Sequence, residues 1–369
     1  MTENYMTQDE LKQIWKKYVT GQTSECPGLR KVIFESWERS KKNRVSFQLT
    51  HAPMIFEGER LEKHKNTLRE FIDISLPIME SLYESVDDAG FVIVLSDKDG
   101  CILEMIGSDE AKETGKLVNF VPGAQWSEDI AGTNSIGTAT VIDQPIQIRG
   151  REHYCLIFHP WCCSAAPIHD PNNRIVGTLT IAGPIDKVHP HTLGMAVIAV
   201  KAIETQMRLQ EALRTLESNN NYKTAVMESI SEGILAIDSQ GKITHMNNIM
   251  ARYLGIDPHE TGKVFVELLD PKNKDVYDIV HNRHIVTDYE IDIHSRHGRS
   301  TYLLTTRPIH GDGVSEGLVL VVSELKRAQR LAQRMSGAEG TLTFSNLIGK
   351  NPKFLETVDL ARKAAGSIS

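Results

Sequence analysis

Long hydrophobic runs are missing from this sequence. No stretch reaches the roughly 18 consecutive apolar residues of a membrane span, and the polar start Met1-Thr2-Glu3-Asn4 lacks the basic and apolar regions of a secretion signal. The cytoplasm is the expected location, with no membrane partner. A basic excess is missing too: 41 Lys and Arg stand against 48 Asp and Glu, a net charge of -7. Strong attraction to nucleic-acid phosphate is therefore not expected of these residues. Cysteine is scarce. The 5 thiols (Cys26, Cys101, Cys155, Cys162 and Cys163) are odd in number and partly clustered, which excludes the disulfide framework of a small secreted domain and predicts reduced thiols. No G-x-x-x-x-G-K-[ST] loop occurs to cradle ATP phosphates. Nor does a G-x-S-x-G elbow, so Ser164, His159 and Asp170 lack the strand-turn-helix setting that would place the serine for attack. The chain is read as a non-enzyme.

What is present is a chain of 369 residues, 40% hydrophobic and 24% charged, which predicts two or three soluble folded domains. Residues 1–60 read as a helical leader, with Leu29, Val32, Ile33 and Trp37 on one helical face. A longer amphipathic helix is expected over Leu61–Val86, kinked or broken by Pro77. The apolar run Phe91–Leu95, the turn Asp97-Lys98-Asp99-Gly100 and the return Cys101–Ile106 form a hairpin pattern. Further strands are expected at 145–148, 162–168 and 175–182, which makes 61–190 an antiparallel α+β domain. Helix formers dominate 191–221, where Leu209, Leu213 and Leu216 repeat as in a coiled-coil seam or a terminal packing helix.

A second strand-turn-strand pattern begins at Gly233, and three more strand-like segments at 285–294, 300–307 and 317–323 complete a domain over 222–324. Leu325, Ala328, Ala332 and Met335 predict another linker helix over 325–340, and a homodimer is the economical expectation for such helices. The fold class is thus α+β: two antiparallel-sheet domains joined by long helical linkers.

Trp126–Ala139 reads WSEDIAGTNSIGTA, and Glu152–Pro171 reads EHYCLIFHPWCCSAAPIHDP. Together they resemble the GAF domains of sigma-54-dependent activators of the acetoin and dihydroxyacetone regulator type, and the leader's ESWERS at Glu35–Ser40 resembles the segment that precedes them. The stretch from Glu228, ESISEGILAIDSQGKITHMNN, resembles a PAS domain. Thr343–Ala365 is similar to the opening of the AAA+ ATPase domain of those activators, so 341–369 reads as its truncated start. The resemblance implies a signal-sensing regulatory region that controls a downstream ATPase. RNA polymerase with sigma-54 and promoter DNA would be met only through domains outside these residues.

Within this frame the ligand-binding candidates are Trp126, Thr133, Asn134, His153, Cys155, His159, Trp161 and Cys162. Gly132 and Gly137 permit close backbone approach, Thr133 and Asn134 offer polar groups or cap the following helix, and the tryptophans supply apolar walls. His153, Cys155, His159, Cys162 and Cys163 also concentrate the donors of zinc or iron, an alternative metal or redox sensor, although no Cys-x2-Cys module is present. In the PAS-like part, Asn247 and Tyr253 are cavity candidates, Asn247 or Asn248 is read as a helix N-cap, and His281 or His284 would be needed for haem. No cofactor is required by the sequence. The expected partner is a small-molecule effector, the alternative a protein that regulates the module.

Overall fold

A computed structural model describes residues 6–86, 90–187, 191–258, 260–295, 298–311, 314–324, 349 and 351–365. The chain divides into two compact units, Met1–Leu216 and Glu217–Ser369.

In the first unit, α1 (Gln8–Val19) starts with a capping box between Thr7 and Glu10 and buries Leu11, Trp15 and Tyr18, one helical face. The α2 helix (Lys31–Lys42) buries Ile33, Ser36, Trp37 and Ser40, again one face. Then come α3 (Gly58–Thr67) and α4 (Arg69–Val86). The break in the expected Leu61–Val86 helix falls at Leu68, whose φ of -115° leaves the helical region. Pro77 sits inside α4 instead. It removes one backbone donor, while Ser81 Oγ donates to the Pro77 carbonyl and fully buried Met79 holds the turn against the core.

Strands β1 (Val92–Asp97) and β2 (Ile102–Gly107) form the expected hairpin, followed by α5 (Asp109–Lys116), α6 (Glu128–Ala131) and α7 (Ser135–Ile142). The unit closes with β3 (Ile146–Arg149), β4 (Trp161–His169), β5 (Ile175–Pro184) and the start of α8 (His191–Ser229). The sheet is antiparallel throughout, in the order β2-β1-β5-β4-β3.

Strand alternation gives this sheet two apolar faces. On one, Val92, Val94, Ala165 and Ala182 pack with Trp15, Tyr18, Ile33 and Trp37 of the first two helices and with Ile136 of α7. On the other, Ile93, Leu95, Leu179 and Ile181 pack with Phe71, Ile72 and Met79 of α4 and with Ala196, Val200 and Ile203 of α8. The leader therefore shares one core with the sheet it precedes.

The second unit contains β6 (Gly233–Asp238), β7 (Ile243–Met246), α9 (Asn248–Leu254), α10 (Phe265–Leu268), α11 (Lys274–His281), β8 (Tyr289–Ser295), β9 (Gly298–Gly311) and β10 (Val314–Glu324). Its antiparallel order is β7-β6-β10-β9-β8, with the helices between second and third strands as expected. One core forms around Leu235, Met250, Phe265, Ile279, Leu304 and Leu320. The expected linker helix over 325–340 lies outside the described residues; of 341–369, Gly349 and α12 (Pro352–Ala365) fall within them. Among the described residues no helix is long and apolar enough to cross a membrane.

Candidate functional site

The first unit holds a small, partly open cavity on the sheet face that carries the leader. Residues lining it include Trp126, Asn134, Ser135, His153, Trp161 and Cys163. Its volume is about 20 Å³, room for roughly one water molecule, since a water needs about 10–15 Å³ measured this way. A larger guest requires side chains to move.

The walls are built locally. Trp126 Nε1 donates to the Asn119 carbonyl at 3.1 Å, and its ring meets Phe120 edge-on and Phe158 at a tilt, each with centroids 4.7 Å apart. Gly132 takes a φ of +69°, where a side chain would be strained, and a Cβ at Gly137 would lie 2.3 Å from Glu128 N. These two glycines let α6 and α7 approach. Asn134 N-caps α7: its Oδ1 accepts from Gly137 N at 3.0 Å and its Nδ2 donates to the Gly132 carbonyl at 2.8 Å. The amide thus first satisfies its own loop, leaving one N–H and one lone pair for a guest.

His153 is 1% exposed. Its Nδ1 lies 2.9 Å from the Gly150 carbonyl, which can only accept, so Nδ1 carries the proton and Nε2 is an acceptor. Burial lowers its pKa to about 4, and the ring is neutral at pH 7. Ser135 hydrogen-bonds the Cys163 thiol, whose pKa burial pushes well up. The cavity therefore offers uncharged donors and acceptors inside an aromatic lining.

Four sequence candidates do not line it. Thr133 turns to the leader, where Ser36 Oγ donates to its hydroxyl at 2.7 Å and Ser40 lies at 3.2 Å. Cys155 Sγ donates to the Ser46 and Ala131 carbonyls at 3.4 Å, and burial raises its thiol to about 12. His159 Nε2 donates to the His153 carbonyl at 3.2 Å and stands edge-on to Trp15; burial lowers it to about 4. Cys162 alternates with Cys163 along β4 and so faces away from the cavity, its thiol raised by burial to about 12.

The donors His153, Cys155, His159, Cys162 and Cys163 accordingly serve separate partners rather than one point. Among the described residues the group close enough to hold a metal ion lies elsewhere, at His64, Asp97 and Cys101. Sequence reasoning missed Val118, Phe120, Ile136, Phe158 and Ala182 as lining residues; apolar residue type alone does not separate a cavity wall from solid core.

Leader side chains brace this wall. Arg30 grips Glu152 through two bonds of 2.8 and 2.7 Å, Arg39 reaches Glu128 at 3.1 Å, and Trp37 and Trp15 donate to the Glu152 and Tyr154 carbonyls at 2.8 and 2.9 Å. Both carboxylates are nearly buried, so losing either arginine strands a charge.

In the second unit Asn247 is fully buried. Its Oδ1 accepts from Ile234 N and Met250 N at 2.9 Å, and its Nδ2 donates to the Met227 and Glu232 carbonyls at 3.1 and 2.8 Å. All four of its hydrogen-bonding positions are used, which is the capping role and leaves nothing for a ligand. Tyr253 packs on Tyr302 with centroids 4.6 Å apart. His281 stacks on Tyr277, and both His281 and His284 are exposed, so neither stands as an axial ligand inside a pocket.

Two five-stranded antiparallel sheets of one strand order, the first holding a cavity with few polar groups, define the class: a tandem α+β protein. Residues 13–205 match the family described as MimR, N-terminal domain, and residues 221–325 match the PAS fold. The first match takes in more than half of the chain, and the chain belongs to that family, with a PAS domain following.

It is 34% identical over 218 residues to the acetoin dehydrogenase operon transcriptional activator AcoR of Bacillus subtilis (strain 168), covering 59% of this chain and 36% of AcoR. Identity to the signal-transduction and transcriptional-control protein of Clostridium beijerinckii is 27% over 321 residues, covering 87% of this chain and 50% of the relative. The chain thus spans about a third to a half of the length of these regulators. The crystal structure of the E. coli DhaR(N)-DhaL complex shares the fold, with a TM-score of 0.72 at 20% identity over 80% of this chain and 100% of that one.

Proposed function

We propose that this chain is the signal-sensing region of a bacterial sigma-54-dependent transcription activator, which binds a small uncharged metabolite in the first unit and controls an ATPase beyond residue 340. The observation that carries this reading is the cavity beneath Trp126 and Trp161, where Asn134, Ser135 and neutral His153 present polar groups in an apolar lining. A charged effector would find no counter-charge among these residues and would bear its full desolvation cost. Because the cavity as it stands holds about one water, a compact guest needs the least side-chain movement, in keeping with AcoR, whose name ties it to acetoin dehydrogenase genes. A homodimer through α8 belongs to the same reading: Leu209, Leu213 and Leu216 are more than half exposed at spacings of four and three.

Calorimetric titration of the chain with short hydroxyketones, ketones and diols tests the proposal, beside the variant Ala182→Leu, which fills the cavity floor. Binding that is lost in A182L supports the reading. Binding retained in A182L, or none from the whole series, removes the cavity as the effector site.

A second reading has its own support. The fold relative was solved as a complex with DhaL, and Leu117 and Leu156 are exposed here at 77% and 53%. Regulation by a protein docking on the first unit would use such apolar surface. Unchanged effector binding together with a lost protein partner in Leu117→Asp separates the two.

A further inference from the structure

The β1–β2 hairpin and the helix before it gather metal-binding chemistry that the effector cavity does not use. His64 on α3, Asp97 at the end of β1 and Cys101 just before β2 bring an imidazole nitrogen, a carboxylate oxygen and a sulfur within 4.8 Å of one another. Each is held in place. Asp97 Oδ1 accepts from Asp99 N and Cys101 N at 2.9 and 2.8 Å, which closes the turn and points Oδ2 at His64 Nε2, 2.8 Å away. The imidazole stacks on Phe56 with centroids 4.3 Å apart, and its side chain is 23% exposed while that of Asp97 is 5% exposed. One side of the cluster is therefore open to solvent, and the other is fixed by the hairpin.

A turn-closing carboxylate with a histidine partner accounts for two of these groups. It does not use the thiol, which is 1% exposed, lies 3.6 Å from the Ile102 carbonyl and has a backbone contact with Gly123. It also does not account for Gln125. That residue pairs with Cys101 in an isolated β-bridge and is 7% exposed; its Nε2 donates to the Asp99 carbonyl of the same turn, and its Oε1 is buried without a hydrogen-bond partner. A buried amide oxygen left unpaired is costly, and it marks this turn as one whose polar groups are not all satisfied.

We propose that His64, Asp97 and Cys101 form a binding site for a divalent cation of the zinc class. Imidazole, carboxylate and thiolate are the ligand types that such an ion prefers, and magnesium or calcium would call for oxygen ligands throughout. A thiolate and a carboxylate together balance the two positive charges. Imidazole binds as the neutral ring and Cys101 gives its proton to solvent, so one proton is released for each ion bound. The ion would tie α3 to the hairpin that edges the first sheet, independently of what enters the cavity.

The test uses the whole chain, stripped with a chelator and titrated with Co²⁺ and then Zn²⁺. The expected result is one Co²⁺ per chain, with the near-ultraviolet charge-transfer band of a cobalt–thiolate bond, bleached by Zn²⁺. The band disappears in Cys101→Ser and persists in a Cys162→Ser, Cys163→Ser double variant. His64→Gln changes a partly exposed side chain and keeps the test decidable if C101S does not fold; it lowers Zn²⁺ affinity by at least about tenfold, as loss of even an outer-shell partner does. No thiolate band, a band that survives C101S, or unchanged affinity in H64Q overturns the proposal.

Discussion

The two sheets have the same strand order, second-first-fifth-fourth-third, yet they bury their residues differently. In the first unit β1 is buried along its whole length, and both faces carry apolar cores, one shared with the leader and one with α4 and α8. In the second unit β6, which takes the place of β1 in the strand order, is buried at four of its six positions, and the sheet packs around one core. The difference teaches that topology does not make a site. A sheet covered on both faces can keep polar groups such as His153 and Ser135 away from water, where one guest molecule changes their energy most. The second unit commits its buried polar residues Asn247, Asn273 and Thr306 to its own backbone.

The largest effect that could break this comparison comes from the leader. Trp37→Ala deletes a fully buried ring and its bond to the Glu152 carbonyl, and should cost about 3–5 kcal/mol. The loss should lower the melting temperature of the first unit as a whole, whereas Phe265→Ala, at 1% exposure, should act on the second. Calorimetry of both variants decides it. If W37A melts only its own helix and the first sheet unfolds as before, the leader is an appendage and the comparison fails.

Acid should come next. Burial lowers His153 and His159 from 6.5 to about 4, so between those values the unfolded chain binds protons that the folded chain refuses. Stability of the first unit should therefore fall as pH drops from about 6.5 toward 4, by on the order of a few kcal/mol for His153. Urea melts at stepped pH check it, and His153→Phe should flatten the slope. A slope that is unchanged in that variant would mean that the ring is hydrated.

Much of this architecture was legible in the sequence. All ten strands were visible because alternating or continuous apolar runs end at Asp-Gly, Asn or Gly turns, as at Asp97–Gly100 and Asp238–Gly241. A kink or break is expected at Pro77, a strong local signal; the chain continues as helix through Pro77 and is interrupted at Leu68, which no residue type announces. The cavity was legible in half. Trp126, Asn134, His153 and Trp161 were within reach because rare residue types stand out, but four of the eight candidates turned to other partners. Thr133 belongs to a hydroxyl cluster with Ser36 and Ser40, nearly a hundred positions away, and such pairing has no local signature.

The two capping asparagines sharpen the comparison at a smaller scale. Asn247→Ala would leave the Met227 and Glu232 carbonyls and two backbone donors unserved, at about 1–3 kcal/mol. Asn134→Ala removes one cap bond and one carbonyl contact, about 1 kcal/mol. The ratio of stabilities should thus favour N134A, while only N134A should weaken an effector bound in the cavity. Equal destabilisation, or an effector affinity that responds to N247A instead, would reverse the assignment of site and strut.

The smallest effect lies at His169, which links the end of α7 to α8. His169, at the end of β4, places Nδ1 3.0 Å from Glu204 of α8 and Nε2 2.8 Å from Asp143, which closes α7. Burial alone would lower its pKa, but the hydrogen bonds and charges of these two carboxylates prevail and raise it. The folded chain therefore holds this proton more tightly than the unfolded one. The contribution is fully present below the unfolded pKa and is lost as pH rises through the raised folded value, opposite in sign to His153. Because Asp143 is 55% exposed, the worth of the pair is under about 1 kcal/mol. NMR titration of the ring should give a pKa above 6.5, and His169→Gln should remove the small loss of stability above it. A ring that titrates below its ordinary value would show that burial wins and that the proton does not join the cavity helix to α8.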